Sequence, residues 1–305
     1  MTTTAADSVH RGPLTGRGGN CSVMGVLNVT PDSFSDGGRF ATPAAAIAEG
    51  INLRRAGAGI VDVGGESTRP GAARTTGEEE LRRVLPVIEG LAAAGVVVSI
   101  DTMRASVARK AVRAGAVLVN DVSGGRADAA MHRTVAELGV PYVLTHWRAP
   151  SRSMRSHARY DDVVREVRDE LRVQIDRAQR LGVRQEQIIL DPGLGFAKNP
   201  DHNWILLRNL AHIAMGYPLL VGASRKSFLG ELLAAPDGRP RSAADRDAAS
   251  TAISLWAAVQ GAWCVRAHDV HSTADALRVA AELRPSSGVK ARTRAPGPSQ
   301  AEHRP

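Results

Sequence analysis

The chain has 305 residues, of which 43% are hydrophobic, and this is enough for one large domain or two small ones with a buried core. No apolar run reaches the ~18 to 20 residues of a membrane span. The net charge of +8 suits nucleic acid or an anionic small substrate. Nucleic acid is disfavoured because aromatic residues make up only 4% of the chain and the helical arginines alternate with acidic residues.

The two ends of the chain differ in composition from the middle. Residues 1–20 are polar and rich in Gly and Arg, without the apolar segment of a secretory signal. We expect a flexible arm or hairpin over 1–20 and a disordered tail over 285–305. The two cysteines, Cys21 and Cys264, are too few for a disulfide framework, so we expect small core residues in a reduced, cytoplasmic protein.

Eight short runs rich in β-branched residues and bounded by glycine predict strands. They are nearly continuous apolar runs, which indicates a parallel sheet that is buried on both faces. The predicted strands are Ser22–Asn28, Gly59–Gly64, Val96–Asp101, Ala116–Asp121, Tyr142–His146, Gln187–Asp191, Pro218–Gly222 and Trp263–His268.

Segments with helical spacing of apolar residues separate these strands. Thr42 and Pro43 predict the cap and the first residue of a helix that ends near Gly57. Further helices are predicted at Glu78–Ala94, Met103–Ala114, Asp128–Leu138, Asp161–Leu181, His202–Ala214, Ala243–Val259 and Thr273–Leu283. The alternation predicts the α/β class and a (β/α)8 TIM barrel over residues 21–284. A doubly wound open sheet is the alternative, but no Gly-x-Gly-x-x-Gly follows the first strand.

In a barrel of this kind the active site lies at the carboxyl ends of the strands. Asp101 and Asp191 each end a predicted strand, and Asn120 is the last but one residue of another. Two carboxylates and an amide offer acceptors and donors that suit a flat heterocycle with an aminopyrimidinone edge. Each Asp could instead cap the next helix, but this interpretation weakens when three strands contribute one such residue each.

Positive charge follows the last two predicted strands, where barrels commonly bind phosphate. Lys226, Arg266 and His268 lie there and suit a pyrophosphate, although Arg266 could serve in a structural ion pair. Ser227 begins a predicted helix, so its hydroxyl and backbone N–H groups could hold a carboxylate. A hard cation held by Asn28 and phosphate oxygens would fit magnesium.

Other catalytic arrangements are not indicated. His146 stands alone at a strand end, which is typical of a structural histidine. No nucleophile and base form a pair of the triad kind, and no group of His, Cys and Asp has the spacing of a zinc site.

Taken together, these motifs resemble the dihydropteroate synthases, the folate-pathway enzymes that sulfonamides inhibit, and the chain looks like an actinobacterial member. The resemblance spans Ser22 to Val270. The matching motifs are Met24–Gly38, Asp62–Gly71, Ser99–Arg104, Val119–Gly125, Asp191–Lys198, Gly222–Gly230 and Arg266–Val270.

The resemblance implies a transferase that joins 6-hydroxymethyl-7,8-dihydropterin diphosphate to 4-aminobenzoate, giving 7,8-dihydropteroate and diphosphate. It implies an SN1-like loss of magnesium-bound diphosphate, with Mg2+ as the cofactor. The implied catalytic residues are Asp101, Lys226 and Arg266. The implied pterin-binding residues are Asp101, Asn120, Asp191, Phe196, Gly222, Lys226 and Arg266. The implied diphosphate-binding residues are Asn28, Arg266 and His268, with Asn28 as the metal ligand. The implied aminobenzoate-binding residues are Phe34, Thr68, Arg69, Pro70 and Ser227. Sulfonamide inhibitors and a homodimer are also implied.

The loop from Thr30 to Gly38 resembles a mobile segment that covers the site when both substrates are bound. We therefore expect Phe34 and Asp36 to reach the substrates only when it closes. Two departures from the family pattern are Thr145, where a Met is expected before the histidine, and Ala267, where a Val is usual. Neither departure removes a group that the implied reaction uses.

Two other functions stay open at this point. A methyltetrahydrofolate–corrinoid methyltransferase shares the Asp, Asn and Asp set, but it needs neither the Ser-Arg-Lys-Ser run of residues 224–227 nor the Thr-Pro-Asp-Ser-Phe loop of residues 30–34. A non-catalytic homologue would bind the pterin without turnover, and the intact set of charged groups argues against it.

Overall fold

A computed structural model describes residues 21–30, 42–66, 75–150 and 153–283 of the chain. All eight predicted strands are present: β1 has the predicted bounds, and the other seven are shorter than the apolar runs. They are β1 Ser22–Asn28, β2 Ile60–Gly64, β3 Val98–Asp101, β4 Leu118–Asp121, β5 Tyr142–Thr145, β6 Ile188–Asp191, β7 Leu220–Val221 and β8 Cys264–Ala267. The prediction for β6 began one residue too early, because Gln187 ends a 3-10 turn whose amide contacts the Val140 carbonyl.

The strands form one parallel sheet in the order β6-β5-β4-β3-β2-β1-β8-β7. A parallel bridge between Leu190 and Leu219 connects β6 to β7, which are the two ends of that order. The sheet therefore curls into the predicted (β/α)8 barrel, and the open-sheet alternative is wrong.

Helices cover the outside of the sheet. They are α1 Pro43–Arg55, α2 Gly77–Ala93, α3 Ala105–Arg113, α4 Met131–Leu138, α5 Val163–Arg180, α6 Pro200–Arg208, α7 Leu210–Ala214, α8 Ser227–Leu232, α9 Asp247–Val259 and α10 Val270–Leu283. Thr42 caps α1 as predicted, since its hydroxyl accepts from the Ala45 N–H at 3.3 Å. None of the helices in the described parts of the chain is long and apolar enough to cross a membrane.

Two of the predicted helices are not single continuous helices, and the starts of α4 and α10 lie three residues from the predicted ones, at Met131 and Val270. The helix predicted at His202–Ala214 starts at Pro200 and is broken at Asn209 into α6 and α7. The side chain of Asn209 donates to the Ile205 carbonyl at 2.8 Å, and such local hydrogen bonds compete with a continuous helix. The helix predicted from Ala243 opens with a 3-10 turn before α9 begins at Asp247.

The barrel interior changes from apolar to polar along the strands. Its apolar floor consists of Met24, Ile60, Leu118, Val143, Ile189, Leu220 and Cys264. Because side chains alternate between the two faces of a strand, the next inward position lies two residues later. On six strands that position is polar or glycine, namely Asp62, Asn120, Thr145, Asp191, Gly222 and Arg266. The polar site is thus built directly on the floor of the core, with Cys264 as a buried core thiol, as predicted.

An ion-pair cluster joins the segments that follow β2 and β3. The guanidinium of Arg104 pairs with Glu66 and Glu80 and donates to the Thr75 carbonyl. Glu80 is fully buried. Burial raises the pKa of Glu80, while hydrogen bonds from Thr102 and Arg104 oppose that rise. Thr102 and Arg104 thus both favour the charged form of the Glu80 carboxylate, and Arg104 is its cationic partner.

We expect Arg104→Met to lower the free energy of unfolding by about 3 kcal/mol, because it leaves the buried Glu80 without its cation. Urea unfolding followed by circular dichroism measures this change. The double variant Arg104→Met/Glu80→Gln should recover part of the loss, because it removes the unpaired charge. An equal loss in the single and double variants would show that the charge of Glu80 is not the cause.

Candidate active site

Four positions at the carboxyl ends of β1 to β4 lie in one register. Asn28 pairs with Gly64, Gly64 with Asp101, and Asp101 with Asn120. A Cβ atom placed on Gly64 would lie 3.6 Å from Asn28 Oδ1 and 3.7 Å from Asp101 Oδ2. Since Gly64 has no side chain, Asn28 and Asp101 face the same small space at the mouth of the barrel. The structure therefore brings together residues that the sequence placed on separate strands.

Arg266 reaches across the barrel from β8 to β2 and β3. Its Nε donates to Asp62 Oδ2 at 2.6 Å, and a terminal nitrogen donates to Asp101 Oδ2 at 2.8 Å. The same Asp62 oxygen accepts from Asn120 Nδ2 at 2.9 Å. Arg266 is thus in an ion pair, but its partners belong to the site and 22% of its side chain is exposed. It can hold these carboxylates and still contact a ligand.

Burial and charge shift the pKa values in this group. Burial raises the pKa of Asp101 to about 7, with Arg266 opposing the rise and Asp62 adding to it. Burial lowers the pKa of Arg266, but the charges of Asp62 and Asp101 outweigh it and leave that pKa above its ordinary value. Arg266 stays cationic, and the charge of Asp101 responds to whatever binds beside it.

Asp191 occupies the opposite side of the barrel mouth. Its Oδ1 accepts from the Gly193 N–H at 2.7 Å, so it shapes the turn after β6 and caps no helix. A Cβ atom on Gly222 would lie 3.8 Å from Arg266 Cβ and 3.9 Å from Asp191 Oδ2. A side chain at position 222 would therefore fill the space between Asp191 and Arg266. Burial raises the pKa of Asp191, while the Gly193 N–H and Lys226 oppose the rise.

Lys226 fixes the loop that follows β6. Its Nζ donates to the Leu194 carbonyl at 2.7 Å and lies 4.1 Å from the centre of the Phe196 ring. Burial lowers the pKa of Lys226 to about 8, with Asp191 opposing the change. The ammonium, the aromatic face and the Asp191 carboxylate thus lie together on one side of a polar pocket, and their predicted role in pterin binding stays a prediction.

The end of β8 and the start of α8 hold two further candidates. His268 Nδ1 lies 2.9 Å from Ser224 Oγ, which also accepts from the His268 N–H at 3.2 Å. Ser224 therefore sets the orientation of the imidazole beside Arg266. Ser227 is the first residue of α8, as predicted, and it is exposed.

Sequence reasoning missed two residues that support this pocket. Asp62 was the only acidic residue in an otherwise apolar run, and this was the one available signal. Arg225 has a left-handed backbone with φ of 60° and forms two hydrogen bonds of 2.7 and 2.8 Å with Asp247. It anchors the residue just before Lys226 to α9. Nothing in the sequence indicated its partner, which lies in a helix 22 residues away.

His146 belongs to a buried network under the β6 loop, in agreement with a structural role. Its Nε2 lies 3.0 Å from Glu170 Oε2 and its Nδ1 lies 2.8 Å from Lys198 Nζ. Lys198 also donates to the Phe196 carbonyl at 3.0 Å. Burial and the nearby Lys198 lower the pKa of His146 to about 3, so the ring is neutral and Nδ1 accepts from the ammonium.

We expect the stabilisation from Lys198 to be pH-dependent. Burial lowers the pKa of Lys198 to about 7, with Asp191 opposing the change. An unfolded lysine titrates near 10.4, so from about pH 7 to pH 10 the unfolded chain binds more protons at this residue. The contribution of Lys198 to the free energy of unfolding therefore rises with pH between about pH 7 and pH 10. Urea unfolding at pH 7, 8 and 9 measures the free energy of unfolding of wild type and of Lys198→Met. The wild-type value should increase relative to that of the variant at each step in pH. If the difference in unfolding free energy between the two proteins stays constant from pH 7 to pH 9, the lowered pKa of Lys198 is wrong.

Several predicted site residues lie outside the described residues. They are Phe34, Asp36, Thr68, Arg69 and Pro70, together with most of the loop from Thr30 to Gly38. The predicted arm over 1–20 and the predicted tail over 285–305 lie outside them as well. Their proposed roles stay predictions.

Comparison with known proteins agrees with the geometry. Residues 24–268 match the sequence model of the family described as pterin binding enzymes. The dihydropteroate synthase of Mycobacterium leprae, an actinobacterium, is 55% identical over 259 residues, which are 84% of this chain and 91% of that protein.

Solved structures agree with this match. A Yersinia pestis dihydropteroate synthase with a sulfonamide drug complex has a TM-score of 0.81 and 39% identity, covering 87% of this chain and 94% of that one. A Xanthomonas albilineans dihydropteroate synthase with 4-aminobenzoic acid has a TM-score of 0.79 and 44% identity, with 87% and 94% covered. The latter protein has also been solved in complex with 7,8-dihydropteroate, with a TM-score of 0.76, 43% identity and coverage of 87% and 95%. The chain is a transferase of folate biosynthesis and belongs to the dihydropteroate synthases, within the family of pterin binding enzymes.

Proposed function

We propose that this synthase binds 6-hydroxymethyl-7,8-dihydropterin diphosphate in the polar mouth of its barrel and transfers the pterin-methyl group to 4-aminobenzoate. The observation that carries the proposal is the hydrogen-bonded set of Arg266, Asp62, Asp101 and Asn120 on top of an apolar floor. Buried donors and acceptors of this kind need polar partners, and the edge of a pterin supplies both types.

The pterin contacts come from both sides of the mouth. Gly222 leaves a space open between Asp191 and Arg266. Asp101 and Asn120 are joined to Arg266 on the other side, Asp101 directly and Asn120 through Asp62. Phe196 supplies an aromatic face under Lys226. A flat bicyclic ring fits between these polar walls, and Arg266 lies where it can stack on the ring and reach the diphosphate.

The chemistry is a substitution at the pterin methylene carbon. The bond from that carbon to the diphosphate oxygen breaks, and its electron pair leaves with diphosphate. The electron-rich dihydropterin ring stabilises the resulting cation, which is the SN1-like character of the step. The aniline nitrogen then forms the new C–N bond and loses a proton. Asp101 favours the positive charge on the ring, while Arg266 and His268 favour the anionic leaving group.

The residues present fit a magnesium ion that arrives with the substrate. Asn28 offers a neutral oxygen ligand 3.6 Å from the Cβ position of Gly64, close to the Asp101 carboxylate. Among the described residues no group of three or more His, Cys, Asp or Glu side chains could hold a metal ion. Mg2+ keeps several waters and takes ligands from substrate phosphates, so one neutral oxygen from Asn28 suits it. When bound, the ion would neutralise charge on the diphosphate.

The second substrate would lie near the start of α8. We assign its carboxylate to the Ser227 hydroxyl, with Phe34, Thr68, Arg69 and Pro70 as further contacts outside the described residues. The relatives solved with 4-aminobenzoic acid and with a sulfonamide drug support the same two ligands for this chain.

A homodimer and a cytoplasmic location are also part of the proposal. Large apolar side chains are exposed on the adjacent helices α9 and α10, and such patches are typical of subunit interfaces. They are Trp256, Val259, Val279 and Leu283. The chain has only two cysteines, Cys21 and Cys264, which are too few for a disulfide framework, and this composition suits a reducing compartment. Light scattering of the purified chain at several concentrations tests the dimer.

One assay tests the activity directly. Purified protein is incubated with the pterin diphosphate, 4-aminobenzoate and Mg2+, and pteroate is followed by chromatography. Formation of pteroate that requires both substrates supports the synthase. Binding of the pterin diphosphate without pteroate would instead support a non-catalytic pterin-binding protein.

A further inference from the structure

Asp62 is a buried carboxylate at the barrel mouth that the reaction described above does not use. It lies on β2, has no exposed surface, and occupies the inward position between Ile60 of the floor and Gly64 of the rim. One of its oxygens, Oδ2, accepts from Arg266 Nε at 2.6 Å and from Asn120 Nδ2 at 2.9 Å. These donors come from β8 and β4, so one atom connects two strands that are not neighbours of each other.

The contact to Arg266 fixes the plane of its guanidinium. Asp101 holds one terminal nitrogen at 2.8 Å, and Asp62 holds Nε at 2.6 Å. With two anchored nitrogens the planar group cannot rotate about either hydrogen bond. With Asp101 alone, Arg266 would be free to turn away from a ring stacked on it, and its charge would be concentrated on Asp101.

The contact to Asn120 fixes the orientation of its amide. The Nδ2 group of Asn120 donates to Asp62 Oδ2 at 2.9 Å, so the NH2 end of the Asn120 side chain faces Asp62. The carbonyl oxygen of Asn120 is then directed away from Asp62. A ligand in the mouth therefore meets an acceptor from Asn120, which suits the N–H groups along the pyrimidine edge of a pterin.

We propose that Asp62 is a positioning residue that sets the orientations of Arg266 and Asn120 for the dihydropterin without touching the reacting atoms. This inference rests on the proposed function for the identity of the ligand. A buried carboxylate costs free energy unless it is paired and hydrogen-bonded, and both of its contacts here are residues of the pocket. The hydrogen bonds of Asp62 therefore connect it to the pocket and not to the apolar floor of the barrel.

The test compares Asp62→Asn with a matched change in the same layer. Asn is the same size as Asp, but it loses the charge that holds Arg266 and adds a donor that can compete with Asn120. Ser99 is the register partner of Asp62 on β3 and is equally buried, and it is assigned no role in the pocket. Ser99→Ala therefore shows how much a small side-chain change at this depth of the barrel alters substrate binding by itself.

We expect Asp62→Asn to raise the Kd for the pterin diphosphate, measured by calorimetry, by about tenfold, which is the size expected for weakened hydrogen bonds to charged groups. The KM for the pterin diphosphate should rise in parallel, while the KM for 4-aminobenzoate stays within about twofold. Ser99→Ala should keep all three constants within about twofold of wild type. If Asp62 had only a structural role, Asp62→Asn would lower the free energy of unfolding, but it would not raise the KM for the pterin diphosphate more than the KM for 4-aminobenzoate.

Two results would overturn the inference: a pterin Kd within about twofold of wild type in folded Asp62→Asn, or an equal loss for both substrates. If Asp62→Asn does not fold, Asp62→Ser takes its place, because its smaller hydroxyl can still accept one hydrogen bond. If wild type binds the pterin diphosphate but makes no pteroate, the proposed function fails, and the calorimetric comparison still decides the role of Asp62.

Discussion

Asp101→Asn is expected to lower kcat by about a hundredfold or more, because a preorganised charge beside the reacting centre commonly contributes that much. The substitution keeps the shape of the side chain and removes the negative charge that favours a cationic pterin. Wild-type turnover should also fall as the pH drops below about 7, since burial raises the pKa of Asp101 to about 7 and protonation removes the same charge. Pteroate formation between pH 5.5 and 8.5 measures both effects.

The matched control is Asp121→Asn on the same barrel. Asp121 is also fully buried, but its carboxylate accepts from Ser123, Gly125 and Tyr142 at 2.7 to 2.9 Å and shapes the turn after β4. Its replacement should lower the unfolding free energy by about 2 kcal/mol through weakened buried hydrogen bonds. Asp101→Asn should melt near wild type, because Arg266 is its only side-chain donor among the described residues. Wild-type kcat in folded Asp101→Asn would refute its assignment.

Lys226→Ala is the second large effect, with an expected rise of about tenfold or more in the KM for the pterin diphosphate and a loss of turnover. Its ammonium holds the Leu194 carbonyl, lies over Phe196 and offsets the charge of Asp191. Removing it takes away the contact that holds the β6 loop and the largest of the positive charges acting on Asp191. Because burial lowers the pKa of Lys226 to about 8, the wild-type KM should also rise above that pH.

Steady-state kinetics with each substrate varied in turn measures the change, and circular dichroism checks that the barrel is intact. Lys110→Ala is the control, since Lys110 is an exposed lysine on α3 away from the barrel mouth. It should behave as wild type. A Lys226→Ala variant with unchanged KM and kcat would remove Lys226 from the site.

The sequence by itself determined the barrel and one wall of its site. Apolar strand runs that become polar at Asp101, Asn120 or Asp191 are local patterns. Because side chains alternate between the two faces of a strand, these residues can be assigned to the carboxyl end of the barrel from the sequence. Helix caps such as Thr42 are equally local, because a hydroxyl three residues before a backbone N–H needs no distant partner. The family motifs then supplied the functional meaning of these residues.

Only the tertiary structure decided which charges share a partner. Arg266 and Asp62 are 204 residues apart, and Lys198 and His146 are 52 residues apart, so neither pair leaves a pattern in the sequence. β1 pairs with both β2 and β8, and the curvature of this sheet brings Arg266 to Asp62, where both side chains contact each other inside the barrel. The physical reason is that a hydrogen bond or an ion pair depends on distance in space, whereas the sequence records only distance along the chain.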